Sequence, residues 1–141
     1  MYSARSRSTI IRVLGGFTAK AKAAPGVVAI FIGEDLTGVN GLPCGWLITG
    51  TDGKPMNEPP HPVLAQGKVR HVGDQVALVV AETLHQAKDA AELIDVDYEV
   101  LPHVIDVEQA MAPDAPLLHD NMYTIGADPK PAKPSNIVKR V

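Results

Sequence analysis

Between Val76 and Val100 three periodicities follow one another, and together they leave the chain little freedom in how it folds. Val76 to Ala81 (VALVVA) is a continuous apolar run, too short for a buried helix, which predicts a buried strand. Thr83 stands three residues ahead of Gln86, the T-x-x-Q spacing of a capping box, so a helix is predicted to begin at Thr83 or Leu84. Leu84, Ala87, Ala91 and Ile94 recur at helical spacing and form one apolar stripe. That stripe gives one main helix over about 83–94, ending near Leu93, with alanines small enough to let it lie close to a sheet. From Asp95 to Val100 acid and apolar residues alternate with period two, the pattern of a half-buried strand with its acids facing water. Tyr98 falls on the side of Val96 and Val100, as a core or interface ring whose hydroxyl reaches outward. Strand, short helix and strand predict a βαβ-like unit. The fold class that follows is α+β, a mixed sheet around one main helix.

The flanking sequence supplies further elements. Thr9 to Leu14 (TIIRVL) reads as a strand, Thr18 to Ala24 as a helix capped by Thr18 and stopped by Pro25-Gly26, and Val27 to Ile32 (VVAIFI) as a second buried strand. From Gly33 to Pro62 the chain turns to Gly, Pro, Asn, Thr and Asp, and Pro59-Pro60 and Pro62 forbid regular pairing through its end. So long a loop inside a compact domain is uncommon and tends either to be functional or to be partly disordered. Val72-Gly73-Asp74 is a tight link in which Gly73 takes φ > 0. Leu101-Pro102 ends the second half, and Asp106 with Gln109 caps a short helix over about Val107 to Met111. After Asp120 the chain is rich in Pro and Lys, and 128–136 reads as a linker. The expected division is therefore one domain over 1–125 and a linker over 126–141.

Composition narrows function by exclusion. Aromatic residues make up 4% of the chain, so the core must be built from Val, Ile, Leu and Ala. Thirteen basic and sixteen acidic residues leave a charge of −3, without the concentrated basic face of a duplex-binding domain. The basic start, Arg5 to Lys22, reads as a solvated edge: it has no apolar core of signal-peptide type, and no stretch is long enough to span a bilayer. One cysteine, Cys44, excludes an internal disulfide framework. The expected compartment is the cytoplasm, with no nucleic-acid or membrane partner.

No catalytic constellation assembles from the residue types. The five histidines, His61, His71, His85, His103 and His119, have no zinc-binding spacing to one another or to a carboxylate. Cys44 has no base placed beside it by the sequence. The glycines fit neither G-x-G-x-x-G after a strand nor a P-loop. Asp95, Asp97 and Glu99 form a row on one strand face, which reads as solvated rather than as a calcium site. The catalytic, cofactor-binding and metal sets expected within this chain are thus empty. One segment remains as a candidate site: Leu42, Pro43, Cys44 and Trp46 combine apolar bulk with turn residues inside the long loop.

Three pieces, VRHVGDQVALVVAET, QAKDAAELIDVDYEVLP and APLLHD, stand at a spacing that identifies a family. The run from Pro62 to Asp120 that contains them resembles the α/β hammerhead domain of the aldehyde oxidase and xanthine dehydrogenase family, and in particular that of carbon-monoxide-dehydrogenase large chains. Upstream, Arg5-Ser6, Pro25-Gly26-Val27 and Gly33-Glu34-Asp35-Leu36 stand at the family's spacing, whereas Arg7 to Ile10 and Gly16-Phe17 depart from its pattern. The family's opening strand before Arg5 is expected to be missing, and Pro134 to Val138 resembles the segment leading towards a molybdopterin-binding domain.

The resemblance implies a scaffold domain within the large subunit of a molybdenum hydroxylase, with no catalytic site of its own. The parent would use molybdopterin, with iron–sulfur clusters and FAD on partner subunits or domains, and the chemistry would belong to those groups. The expected partners are the rest of the molybdopterin-binding subunit and the iron–sulfur and flavin subunits, together with self-association of this piece through exposed apolar surface. In the family the long connection approaches the substrate funnel, which implies a role there for Leu42, Pro43, Cys44 and Trp46. Two other classes fit the bulk properties: a free-standing regulatory module that binds a small molecule, and a carrier domain whose only candidate lysine is Lys54. The first has no need of the 33–62 loop, and the second would need neighbours unlike those of Lys54.

Overall fold

In the computed structural model, residues 11–127 and 129–140 are described, with the backbone alone over 11–17. Arg5-Ser6, the departures at Arg7 to Ile10, the missing opening strand and the first two residues of the predicted Thr9–Leu14 strand lie outside the described residues. The chain divides into two compact units. One comprises residues 1–40 and 62–101, the other residues 41–61 and 102–141.

The first unit carries the regular elements. In chain order they are β1 (Ile11–Phe17), α1 (Ala19–Lys22), β2 (Val27–Ile32), a 3-10 turn (Gly33–Leu36), β3 (Lys68–Val69), β4 (Ala77–Ala81), α2 (Leu84–Glu92) and β5 (Asp95–Val100). The strands form two sheets, one of order β3-β1-β5 and one of β2 with β4. Every strand pairing within these two sheets is antiparallel. The α+β class and the hammerhead resemblance stand, but the mixed sheet and the βαβ-like unit need correction. β4 pairs with β2 and β5 pairs with β1, so the two strands that flank α2 belong to different sheets. Periodicity locates a strand but carries no information about its partner.

α2 forms as its sequence dictates. The Gln86 backbone N–H donates to Thr83 Oγ1 at 3.3 Å, while the Thr83 hydroxyl donates to Gln86 Oε1 at 2.8 Å. Thr18 sits at the N-cap of α1 but makes no capping hydrogen bond with its side chain. That helix is a single turn held by packing. Ala21 and Ala90 are fully buried and meet Ile30 in the core, with Ala24, Val27, Val79 and Ile94 packed around them. Two helices whose contact residues are alanines approach closely, which is how a chain so poor in aromatics closes a core.

β2 and β4 are not buried strands. Leu78 is 41% and Val80 38% exposed on β4, and Phe31 is 39% exposed on β2. Phe31 pairs with Leu78 and Ala29 with Val80, so these residues share one apolar face, opposite the face of Ile30 and Val79. The register shifts between Val27 and Ala29, and the extra residue Val28 is 69% exposed. A sheet of two strands covers one face with α1 and α2 and leaves the other uncovered within its own unit. The apolar run that signalled burial therefore marks a surface.

The 3-10 turn after β2 is fastened by the Ile32 N–H donating to Asp35 Oδ2 at 2.8 Å. Gly33 at its head is buried, and a Cβ there would lie 2.1 Å from the Ala65 carbonyl oxygen. Gly73 has φ +103, as its link requires, and the Asp74 carboxylate accepts from the Arg70 and His71 N–H groups across it.

In the second unit the only helix among the described residues is α3 (Val107–Ala110), capped by the Asp106 carboxylate accepting from Gln109 N–H at 2.9 Å. The rest is loop tied by specific hydrogen bonds. Asn136 donates to the carbonyls of Ala110 and Pro116 and accepts from Leu118 N–H. Thr124, 7% exposed, donates to the Ile137 carbonyl at 2.7 Å. Most of the stretch expected as a linker is thus hydrogen-bonded into the unit: Ser135 N–H bonds the Met122 carbonyl and Arg140 N–H the Ile125 carbonyl.

Candidate functional site

The long loop enters the second unit at Gly41 and leaves it at His61, and it is ordered by its own chemistry. At its base the Leu42 N–H donates to the His61 carbonyl at 2.8 Å. Farther out, Met56 N–H donates to the Ile48 carbonyl at 2.8 Å and Gly50 N–H to the Lys54 carbonyl at 3.1 Å, with an antiparallel bridge between Thr49 and Pro55. The turn is closed by Asp52 and Gly53: Gly53 takes φ +70, and the Asp52 carboxylate accepts from Lys54 N–H. This small hairpin is anchored from far along the chain. Lys139, with its side chain 5% exposed, donates to Asp52 Oδ1 at 2.6 Å and to the Lys54 carbonyl at 3.0 Å. A Cβ on Gly50 would lie 2.3 Å from Lys139 Cε, so a side chain there would make the lysine shift. The Lys139 hydrogen bond, and after it the Lys54 N–H, hold the Asp52 carboxyl below its ordinary value.

Between the base and the hairpin lie the four residues singled out from the sequence. The Cys44 N–H donates to Glu58 Oε1, and the Cys44 thiol donates to the Trp46 carbonyl at 3.4 Å. Cys44 therefore points at a backbone oxygen, with no histidine hydrogen-bonded to it among the described residues. Trp46 is 85% exposed, with Leu42 at 52% and Ile48 at 58%. Leu42, Pro43, Cys44 and Trp46 form one braced segment, and what it presents is apolar surface rather than a nucleophile with its base. Trp46 does not fold onto its own unit.

A second feature belongs to the first unit. The stripe of α2 and the edge of β4 line a groove of about 170 Å³ with Val63, Leu64, Leu78, Leu84, Ala91 and Val96 on its walls. Among the described residues, Lys88 is the only ionisable one lining it. Leu84, expected on the buried stripe, is 62% exposed at its rim. The groove can take apolar side chains and offers no chemistry.

Sequence reading missed the Lys139 anchor and the Asn136 clamp. The turn residues Asp52-Gly53 were a local signal, but nothing local tells which distant lysine meets them. The fit of a redox cofactor can be tested on the donors present. No buried side-chain nitrogen or oxygen among the described residues lacks a partner, and the one thiol is exposed. One thiol cannot supply the several thiolates that hold an iron–sulfur cluster.

Comparison with known proteins bears on the same regions. A family model for the aldehyde oxidase and xanthine dehydrogenase a/b hammerhead domain matches residues 1–102. The probable hypoxanthine oxidase XdhD of Escherichia coli is 43% identical over 110 residues, 77% of this chain and 11% of the relative. The carbon monoxide dehydrogenase large chain of Afipia carboxidovorans is 39% identical over 118 residues, 84% of this chain and 14% of the relative. Among solved structures, quinoline 2-oxidoreductase from Pseudomonas putida 86 superposes with a TM-score of 0.69 at 34% identity, over 81% of this chain and 14% of the other. The matched region of the chain thus spans only 11–14% of the length of these proteins.

Proposed function

Since this chain belongs to the aldehyde oxidase and xanthine dehydrogenase a/b hammerhead family, we propose that it is a scaffold domain in the large subunit of a cytoplasmic molybdenum hydroxylase. The observation that carries this reading is the match itself: the family model accounts for residues 1–102, while relatives of 39–43% identity are many times longer. The remainder of such a subunit supplies the molybdopterin site, and partner subunits or domains carry the iron–sulfur and flavin groups. When bound there, the molybdenum–pterin centre supplies the oxidation chemistry. This chain supplies packing surfaces: the open face of β2 and β4, the groove beside α2, and the braced Leu42–Trp46 segment. The last of these serves as one wall of the substrate funnel. Its support is an ordered apolar tip that has nothing in its own unit to cover it.

Purification of the complete subunit with its partners tests both parts. Molybdenum at one equivalent by elemental analysis is the expected result, and a metal-free, fully folded complex overturns the assignment. In the loaded enzyme, Trp46→Ala is expected to change KM or substrate preference by severalfold with molybdenum content unchanged. Wild-type kinetics on every accepted substrate would reduce the loop to a connector.

A further inference from the structure

The Pro- and Lys-rich end of the chain, which the scaffold reading leaves without a task, lines a trough in the second unit. Two adjoining cavities of about 490 and 630 Å³ share Thr124, Gly126, Ala127 and Pro131, so they form one continuous depression. Lys133 and Arg140 line the first, and Lys54 and Lys130 the second. No carboxylate lines either cavity among the described residues. Asp52, the acid nearest Lys54 in sequence, is taken up by Lys139. Lys133 Nζ rests on the Pro113 carbonyl at 3.2 Å, which orients the ammonium without neutralising it. Besides the cations, the lining carries apolar side chains, among them Met111, Leu117 and Ile137, and neutral polar ones such as Asn57, Tyr123, Thr124 and Ser135.

This arrangement discriminates among anions. A depression this long, with its cations distributed along two cavities, does not converge on a single point as an inorganic phosphate site would. Among the described residues Tyr123 is the only aromatic ring lining it, so they offer no stacking platform of the kind on which single-stranded nucleic acid depends. Four cations and several apolar side chains lining one depression instead match a segment that carries both carboxylates and apolar side chains. We propose that this trough binds an extended acidic polypeptide segment of a partner protein. Lys54, Lys130, Lys133 and Arg140 meet its carboxylates, and Met111, Leu117 and Ile137 receive its apolar side chains. The proposal does not depend on the family reading, because all but Lys54 and Asn57 of these residues lie beyond residue 102.

The test uses the whole chain and fluorescence anisotropy with three labelled probes. They are a peptide of about a dozen residues alternating Glu and Leu, its Lys and Leu counterpart, and an oligouridine of similar length. The acidic peptide is expected to bind, to weaken at least tenfold in a Lys130→Glu, Lys133→Glu double variant, and to weaken with added salt, since exposed pairs are screened. A Lys20→Glu, Lys22→Glu variant changes net charge equally but on α1, and it is expected to bind as wild type. Circular dichroism identical across the three proteins excludes misfolding. Equal loss in both variants, equal binding of the basic peptide, or tighter binding of oligouridine would overturn the proposal.

Discussion

Gly33 shows how much a single residue can decide. It is buried with an ordinary φ, so its need for glycine comes from contact alone: a methyl group would sit 2.1 Å from the Ala65 carbonyl oxygen. Backbone cannot step aside as a flexible side chain does. Gly33→Ala is therefore expected to destabilise the chain by about 1–3 kcal/mol, the range for overpacking a closed site, read from the midpoint of urea unfolding. An unchanged midpoint would mean that the 65–67 segment is free to retreat. At this scale the sequence was legible mostly where the cause is local, the Thr18 cap being the exception. Thr83 with Gln86, Asp106 with Gln109 and the positive φ of Gly73 all follow from neighbours within a few residues. Gly33 was legible only as a family position, because the atom that forbids a side chain there lies 32 residues away. Trp46 was visible as a candidate by its type, but its 85% exposure depends on bonds from Glu58, His61 and Lys139 that no window of sequence contains.

Elements were legible in position and type more than in partnership. β2 and β5 fall where periodicity puts them, and the main helix and β4 nearly so, since each was a sustained pattern with its own punctuation. Their pairing and burial were not, because an apolar run looks the same whether it faces a core or an interface. The hairpin of the long loop is the opposite case, an element invisible to periodicity and held by charge. Its response to acid follows from the direction of the Asp52 shift. A carboxyl whose folded value is lowered contributes stability above its unfolded value, and that contribution is lost only as pH falls through the lowered one. The hairpin is therefore expected to stay anchored through neutral and mildly acidic pH and to loosen below the ordinary carboxylate range. Amide exchange at Gly50 and Lys54 checks this. Asp52→Asn should loosen the hairpin already at neutral pH and remove the acid response, whereas an unaltered acid response in that variant would assign it to other groups.

On the scale of the molecule, the two units differ in how they are held. The first has a small alanine-lined core and leaves Val28, Phe31, Leu78 and Val80 outward; in the second, Met122 and Thr124 are the buried residues among those described, and side-chain hydrogen bonds are many. Apolar patches that the rest of a subunit would cover promote association when they stand free. The isolated chain is expected to show a mass that rises with concentration in light scattering. Phe31→Lys with Val80→Lys should lower that mass while circular dichroism stays the same. A wild-type chain that stays monomeric at high concentration would show that this face does not drive association. The second unit also has a history in time. Its hairpin closes on Lys139, 87 residues beyond Asp52. Translation at about 5–20 residues per second separates their emergence by roughly 4–17 seconds. A binding protein at the ribosome that arrives before Lys139 has emerged meets Trp46 on a loose tether, and one that arrives later meets the same ring on a fixed mount.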